Sequence, residues 1–290
     1  MSTKKLFLFT LIALLAFAAN SILCRLALKV EWVDPLDFSI IRLLSAAIIL
    51  WLLLVAKNAH SAKIFMQYGS SKGAVSLLIY VLGFSYAYVG LSTATGALIL
   101  FAAVQFTMLG AALLSGKRLS VLESIGIAIS LMGLCYFVYP ELDKPNGLTF
   151  IFMIVAGIAW GMYSLIGSQS VSPLLDTSSN FIRLVPLCVL ALFVAYFFGD
   201  THITFLGFVY SVASGALASG LGYSLWYKVL PKLDKSVAAV SQLSVPIWAA
   251  LGGILFIHEG ITWHLLLSSC LILGGILLVL LSQFQQKISA

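Results

Sequence analysis

The chain has 290 residues, of which 61% are hydrophobic and only 9% charged, with a mean hydropathy of +1.09 and a formal net charge of +6. A soluble domain is about 45–50% apolar and about 25% charged, so a chain this size with so few charges cannot keep a soluble surface wet. Disorder, collagen, disulfide scaffolds and nucleic-acid-binding domains are excluded at the same step, and an integral membrane protein remains.

Apolar runs separated by polar or turn residues predict ten spans, at approximately 6–28, 36–56, 73–90, 94–115, 121–139, 147–170, 177–199, 203–229, 236–257 and 262–282. The first follows Lys4-Lys5, and Ala16-Phe17-Ala18 resembles a signal-peptidase site. Its apolar run nevertheless continues through Leu28, about the ~20 residues that a bilayer needs. It is therefore read as a retained first span. The runs are too long and too little alternating for strands, and a backbone in lipid must satisfy its own hydrogen bonds, so the spans are helices. Short connections such as Gly116-Lys117-Arg118-Leu119-Ser120 make sequential helices antiparallel.

Lys and Arg are unevenly placed between the loops. With both termini cytoplasmic, eleven fall on the inner side and three (Arg25, Lys29, Lys144) on the outer, while Arg42 and Arg183 lie inside spans. The positive-inside rule thus predicts a multi-pass membrane protein with both ends in the cytoplasm. The +6 records this topology; it is not a sign of an acidic partner, and no nucleic-acid partner is expected.

The halves look alike. Ile41-Arg42-Leu43 and Ile182-Arg183-Leu184 are 141 residues apart, and Gly83-Phe84-Ser85 and Gly222-Tyr223-Ser224 are 139 apart. Gly126 and Gly133 match Ser268 and Gly275 at 142, and Asn20 matches Tyr163 at 143. Five spans per half is an odd number, so the second half must be inverted relative to the first. The expected fold is all-α, with ten transmembrane helices as two inverted-topology five-helix repeats over residues 1–143 and 144–290. Repeats of this kind are typical of secondary transporters, whose substrate sites lie near the midplane between them.

Five plus five spans, Trp160-Gly161 in a repeat's first span and the arginines Arg42 and Arg183 early in second spans are joined by Leu243-Ser244-Val245-Pro246 and His258-Glu259. In these features the chain resembles the drug/metabolite transporter superfamily, in particular its EamA-domain transporters, over essentially its whole length. The resemblance implies an inner-membrane carrier, often an exporter of amino acids or other small metabolites, with a central cavity. The chain departs from the pattern at Phe17-Ala18 (commonly Trp-Gly), Val104-Gln105 (a usual proline), Lys117 (a usual glutamate) and Tyr163 (a common Asn, kept as Asn20).

No carboxylate lies near the middle of a span; Glu123, Asp176 and Glu259 fall at helix ends. Proton-coupled exporters of organic cations usually need a buried acid, so that mechanism is disfavoured. Arg42 is roughly 9 Å along its helix, at ~1.5 Å per residue, and Arg183 is similarly deep from the other side. Each serves either as a snorkelling structural anchor or as an anion-binding group. Asn20, Gln105 and Gln242 are amides in apolar runs, either helix–helix glue or part of a substrate path. Tyr86, Trp160, Tyr163 and Tyr223 are aromatic cavity candidates, whereas Tyr88, Trp226 and Tyr227, near span ends, read as interfacial. Pro246, mid-span, with Gly252-Gly253, is a candidate hinge or gate or else a static kink.

The four cysteines and four histidines form no ligand spacing, so no metal or cofactor is expected and the cysteines read as small buried hydrophobes. An intramembrane enzyme would need a buried nucleophile–base set, an Asp pair or a metal cluster, and none is evident. The reading is a secondary transporter, an exporter or facilitator of a small neutral, zwitterionic or anionic metabolite such as an amino acid. Its partners are membrane lipid and a small-molecule substrate, and it is a monomer or homodimer. The alternatives are a partner-binding membrane protein without transport and a lipid-linked sugar flippase on the same fold.

Overall fold

The structure is a computed structural model that describes residues 2–57, 67–114, 116, 120–138, 147–198, 202–233, 241–242 and 244–289. Among the described residues there is no strand, only a single antiparallel bridge between Val33 and Ile203. In chain order the helices are α1 (Thr3–Lys29), α2 (Pro35–Ala56), α3 (Ser71–Tyr88), α4 (Thr93–Leu114), α5 (Val121–Val138), α6 (Gly147–Gly167) and α7 (Pro173–Phe198). Then α8 runs in three stretches, Phe205–Ala213, a π-helical Ser214–Leu221 and Gly222–Val229, before a 3-10 turn at Leu230–Lys232. The last two are α9 (Val245–Ile257) and α10 (Trp263–Ser289).

Helix starts follow local chemistry. Pro35 and Pro173 open α2 and α7, where a missing N–H costs nothing. Ser70 caps α3 by accepting from Gly73 N at 3.0 Å, and Thr204 caps α8 by accepting from Gly207 N at 3.1 Å. Glu123 is buried at the start of α5 in a reciprocal box, its Oε2 accepting from Ser120 N at 2.7 Å while Ser120 Oγ accepts from Glu123 N at 3.1 Å. Its carboxylate is thus committed to capping, at a helix end as expected.

Six helices among the described residues are long and apolar enough to cross a membrane: Thr3–Lys29, Pro35–Ala56, Thr93–Ala111, Gly147–Gly167, Pro173–Ala195 and Phe205–Lys232. Val121–Tyr136, Val245–Ile257 and Trp263–Val279 are shorter apolar helices, and α3 has 18 residues. All lie where the sequence predicts spans. Residues 236–240 and 243 of the predicted ninth span fall outside the described residues.

Burial is inverted relative to a water-soluble protein. Large apolar side chains such as Phe7, Trp51, Phe193 and Phe256 face outward, while Asn20, Arg42, Ser85, Asn180, Ser214, Ser219 and Gln242 are buried. Water would punish that apolar exterior, and hydrocarbon rewards it. Cys24 and Cys188 are buried as read, whereas Cys135 and Cys270 are exposed on α5 and α10; a thiol facing lipid costs no more than one in the core.

The largest helix pairings recur when the halves are exchanged. α1 packs on α8 and α9 as α6 packs on α3 and α4. α2 touches α8 as α7 touches α3, and α2 meets α7 as α5 meets α10. The α5–α10 seam is built on small residues: a Cβ at Gly126 would sit 2.6 Å from the Gly275 carbonyl, and Ser130 Oγ donates to Ile272 O at 3.1 Å. These small faces therefore pack within the chain.

One position differs from the sequence reading. Pro246 lies in the first turn of α9, after a turn at Ser244, and not inside a continuous helix; a proline fits there without losing a helical bond. The proline inside a helix is Pro186, in α7. Gly252 and Gly253 belong to regular α9 and serve close approach: a Cβ at Gly252 would meet the Ile22 side chain on α1, and one at Gly253 would lie 3.1 Å from Thr93 Cβ.

Candidate functional site

The buried polar groups converge where α1, α2 and α3 of the first half meet α6, α7 and α8 of the second. On α1, Phe17 and Asn20 are three residues apart and share a face. On α6, Trp160 and Tyr163 do the same; α2 contributes Arg42, α3 contributes Tyr80 with Phe84, and α7 contributes Phe181. On α8, Ser214 and Ser219 are five apart, a spacing that an α-helix turns away from itself and a π-turn brings into line. Tyr223 follows one turn later.

Arg42 is the centre. It is fully buried, and its Nε donates to Ser219 Oγ at 2.9 Å. Its Nη2 donates to Tyr80 Oη at 3.1 Å and to Tyr223 Oη at 2.7 Å. Asn20 Nδ2 donates to the same two phenols at 3.2 Å each, and Tyr223 Oη donates to Tyr80 Oη at 2.9 Å. Ser214 Oγ donates to Asn20 Oδ1. The guanidinium carbon also lies 5.2 Å from the Tyr80 ring centre and 5.0 Å from that of Phe84, within cation–π range.

Aromatic rings wall the cluster. Phe17 meets Trp160, Tyr223 and Trp226 edge-on at 5.4, 5.7 and 5.5 Å, and Trp160 lies 4.6 Å from Tyr223 and 4.9 Å from Tyr80. Phe181 is 6.1 Å from Tyr223. Tyr163 stacks on Tyr227 at 5.0 Å, and Tyr227 Oη donates to Tyr163 O at 2.9 Å. The Nε1 groups of Trp160 and Trp226 are buried without a hydrogen-bond acceptor.

Polar ties hold the chain at either end of the bundle. At the end of α1, Arg25 pairs with Glu259 at 3.2 Å and donates from Nη1 to Tyr88 O at 2.9 Å and Val89 O at 3.0 Å. Glu259 also accepts from Thr93 N at 2.8 Å, so one carboxylate joins α1, α4 and the end of α9. At the opposite end, Asp176 and Asn180 of α7 accept from Gly69 N at 2.8 Å and Ser70 N at 2.9 Å. There Arg183 donates from Nη2 to Tyr68 O at 3.2 Å. Glu259→Gln is expected to lower the melting temperature measurably in detergent, because a charge-assisted bond in a mostly buried pair contributes about 1.5–3 kcal/mol. A thermal unfolding scan of the two proteins checks this.

Of the residues singled out from sequence, the cluster contains Asn20, Arg42, Trp160 and Tyr223, with Tyr163 beside Trp160. Gln105 and Gln242 are buried as well, in α4 and just before the α9 turn. Tyr86 stands on the outside, 38% exposed beside Phe152, one helix face away from Tyr80. Arg183 lies partly buried well inside α7, tied to Tyr68 O and outside the Arg42 cluster. The interfacial reading of Tyr88, Trp226 and Tyr227 is corrected: all three are at most 1% exposed, Tyr88 packed on Gly96 of α4, Trp226 on Phe17 of α1 and Tyr227 on Tyr163 and Gly167 of α6. Sequence reading missed Tyr80, Phe17, Ser214 and Ser219. Tyr80 had a signal, a lone hydroxyl in Leu77-Leu78-Ile79-Tyr80-Val81, while the serines had none apart from the π-turn.

The profile of the EamA-like transporter family matches the chain twice, over residues 4–139 and 147–281. The chain is 41% identical over 280 residues to an uncharacterized protein of Pseudomonas aeruginosa, spanning 97% of this chain and 96% of that protein. It is 24% identical over 258 residues to the uncharacterized transporter YoaV of Bacillus subtilis, spanning 84% and 86% of the two chains. A solved crystal structure superposes with a TM-score of 0.66 at 15% identity, covering 97% of this chain and 99% of that one, a likeness of fold alone. With both halves matched almost end to end, the chain belongs to the EamA-like transporter family of membrane proteins.

Proposed function

We propose that the protein is a secondary transporter that carries a small polar metabolite (neutral, zwitterionic or anionic, such as an amino acid) by alternating access between two inverted five-helix repeats, residues 1–143 and 144–290. The observation that carries this reading is the buried Arg42–Tyr80–Tyr223–Asn20 network with Trp160. It is assembled from both halves at their contact, where a substrate site is expected in inverted-repeat carriers. The exchange-symmetric helix pairing and the two family matches support the repeat division. The π-helical stretch in α8 and the interrupted start of α9 supply broken helices of the kind that line such sites. Eleven basic residues against three favour both termini in the cytoplasm and the inner membrane, and outward transport is the direction the family resemblance suggests.

Proteoliposomes offered a panel of radiolabelled amino acids and organic acids test this. Saturable flux of at least one member is expected, falling at least about tenfold in Trp160→Ala, since a transporter that loses a central aromatic contact worth about 1.4 kcal/mol loses a factor of ten. Absence of saturable flux for the whole panel would sink the transport reading.

A further inference from the structure

The Arg42 cluster has many hydrogen-bond donors and few acceptors, and among the described residues its positive charge has no ion-pair partner. Arg42 is 0% exposed. Among the described residues the ion pair found is Arg25–Glu259, at the far end of α1. Of the buried carboxylates among the described residues, Glu123 caps α5, and Asp37, in the first turn of α2, keeps a buried Oδ1 without a hydrogen-bond partner and makes no ion pair with Arg42. What Arg42 has instead is two phenols and a serine hydroxyl. Those two phenol oxygens already serve Arg42 Nη2 and both bonds of Asn20 Nδ2, and Tyr80 Oη takes a third from Tyr223. Arg42 Nη1 has no hydrogen-bond partner, and Trp160 Nε1, in the same ring cluster, has none either.

A buried guanidinium is costly unless an anion and good hydrogen bonds compensate it, and the planar guanidinium fork suits a carboxylate. Among the described residues the contacts of Arg42 include no second basic side chain, and one cation matches a single negative charge better than two. The surrounding Phe17, Trp160, Phe181 and Phe84 rings suit an apolar body. We infer that the transported substrate is an organic monocarboxylate whose carboxylate pairs with Arg42, with Trp160 Nε1 as a second donor. This deepens the transporter reading and rests on it. An amino group on the substrate would meet aromatic faces here and, among the described residues of the cluster, no acid, so the carboxylate dominates recognition.

The test uses isosteres that differ only in the charged group. The wild-type protein in lipid nanodiscs is titrated calorimetrically with 4-methylpentanoate, 4-methylpentanamide, 3-methylbutylammonium and leucine, and liposome flux of the same four compounds is read in parallel. The two carboxylates are expected to bind at least about tenfold more tightly than the amide and the ammonium ion. Arg42→Gln should erase that preference, and Arg42→Lys should retain part of it, which separates lost charge from lost folding. Equal binding of the amide or the ammonium ion, or a preference that survives in Arg42→Gln, overturns the carboxylate assignment and leaves a transporter of another substrate class. Flux of neutral or cationic solutes with no carboxylate binding does the same. If nothing binds and nothing moves, both the assignment and the transporter reading fall.

Discussion

Tyr223→Phe is expected to cut transport at least about tenfold while leaving folded protein in the membrane. The phenol oxygen accepts from Arg42 Nη2 at 2.7 Å and from Asn20 Nδ2 at 3.2 Å, and it donates to Tyr80 at 2.9 Å. Phenylalanine keeps the ring contacts with Phe17 and Trp160 and removes only these bonds. One of the groups left short is charged and buried, and hydrogen bonds to charged groups are worth about 1.5–3 kcal/mol. At 1.4 kcal/mol per factor of ten, that is about ten- to hundredfold if the bond matters to the transport cycle. Initial uptake rates in proteoliposomes, normalised to reconstituted protein, provide the measurement. Tyr136→Phe removes an equivalent hydroxyl from a residue 44% exposed on α5 and should leave the rate unchanged. Equal rates in all three proteins would mean that the network is packing only.

The second large effect concerns the seam between α5 and α10. Gly126→Ala is expected to destabilise the protein by about 1–3 kcal/mol, the usual cost of overpacking. The added methyl would lie 2.6 Å from the Gly275 carbonyl and 3.1 Å from Val279 N, and both are backbone atoms that cannot rotate away. The helices must part, and Ser130 Oγ, which donates to Ile272 O at 3.1 Å, would lose its partner. Gly110→Ala provides the comparison, because a Cβ there meets nothing within 4 Å. It should be neutral, or gain the roughly 0.5–1 kcal/mol that alanine has over glycine inside a helix. Melting curves in detergent distinguish the two, and a Gly126→Ala protein as stable as wild type would rule out the tight seam.

Part of the site was legible because the bilayer makes polar residues conspicuous. Asn20, Arg42, Gln105 and Gln242 stand out in apolar runs, since each must find a partner or a cavity. Trp160 and Tyr223 stood out for depth along their spans. Aromatic residues gave weaker guidance, because Trp and Tyr are also favoured at membrane interfaces. Depth along a span does not say which way a helix face points. Tyr86 and Tyr80 lie six residues apart on α3, and one is 38% exposed while the other is buried in the network. Periodicity gave little help, since in lipid the outward face is as apolar as the core. Ser214 and Ser219 were illegible for a different reason: they share a face only because α8 widens to a π-turn there.

By itself the sequence determined the medium, the helical character, the approximate position of each helix and the likeness of the two halves. These follow from local quantities: apolar run length, backbone hydrogen-bond demand and residue spacing. Only the tertiary structure decided which polar groups meet. Arg42 of α2 reaches Tyr80 of α3 and both Ser219 and Tyr223 of α8, the last two 177 and 181 residues away in sequence. The physical reason is that a buried charge is defined by what surrounds it, and its surroundings here come from helices of both halves. The sequence left Arg42 as either anchor or anion site, and the proposed anion site rests on its contact set, which the tertiary structure alone supplies.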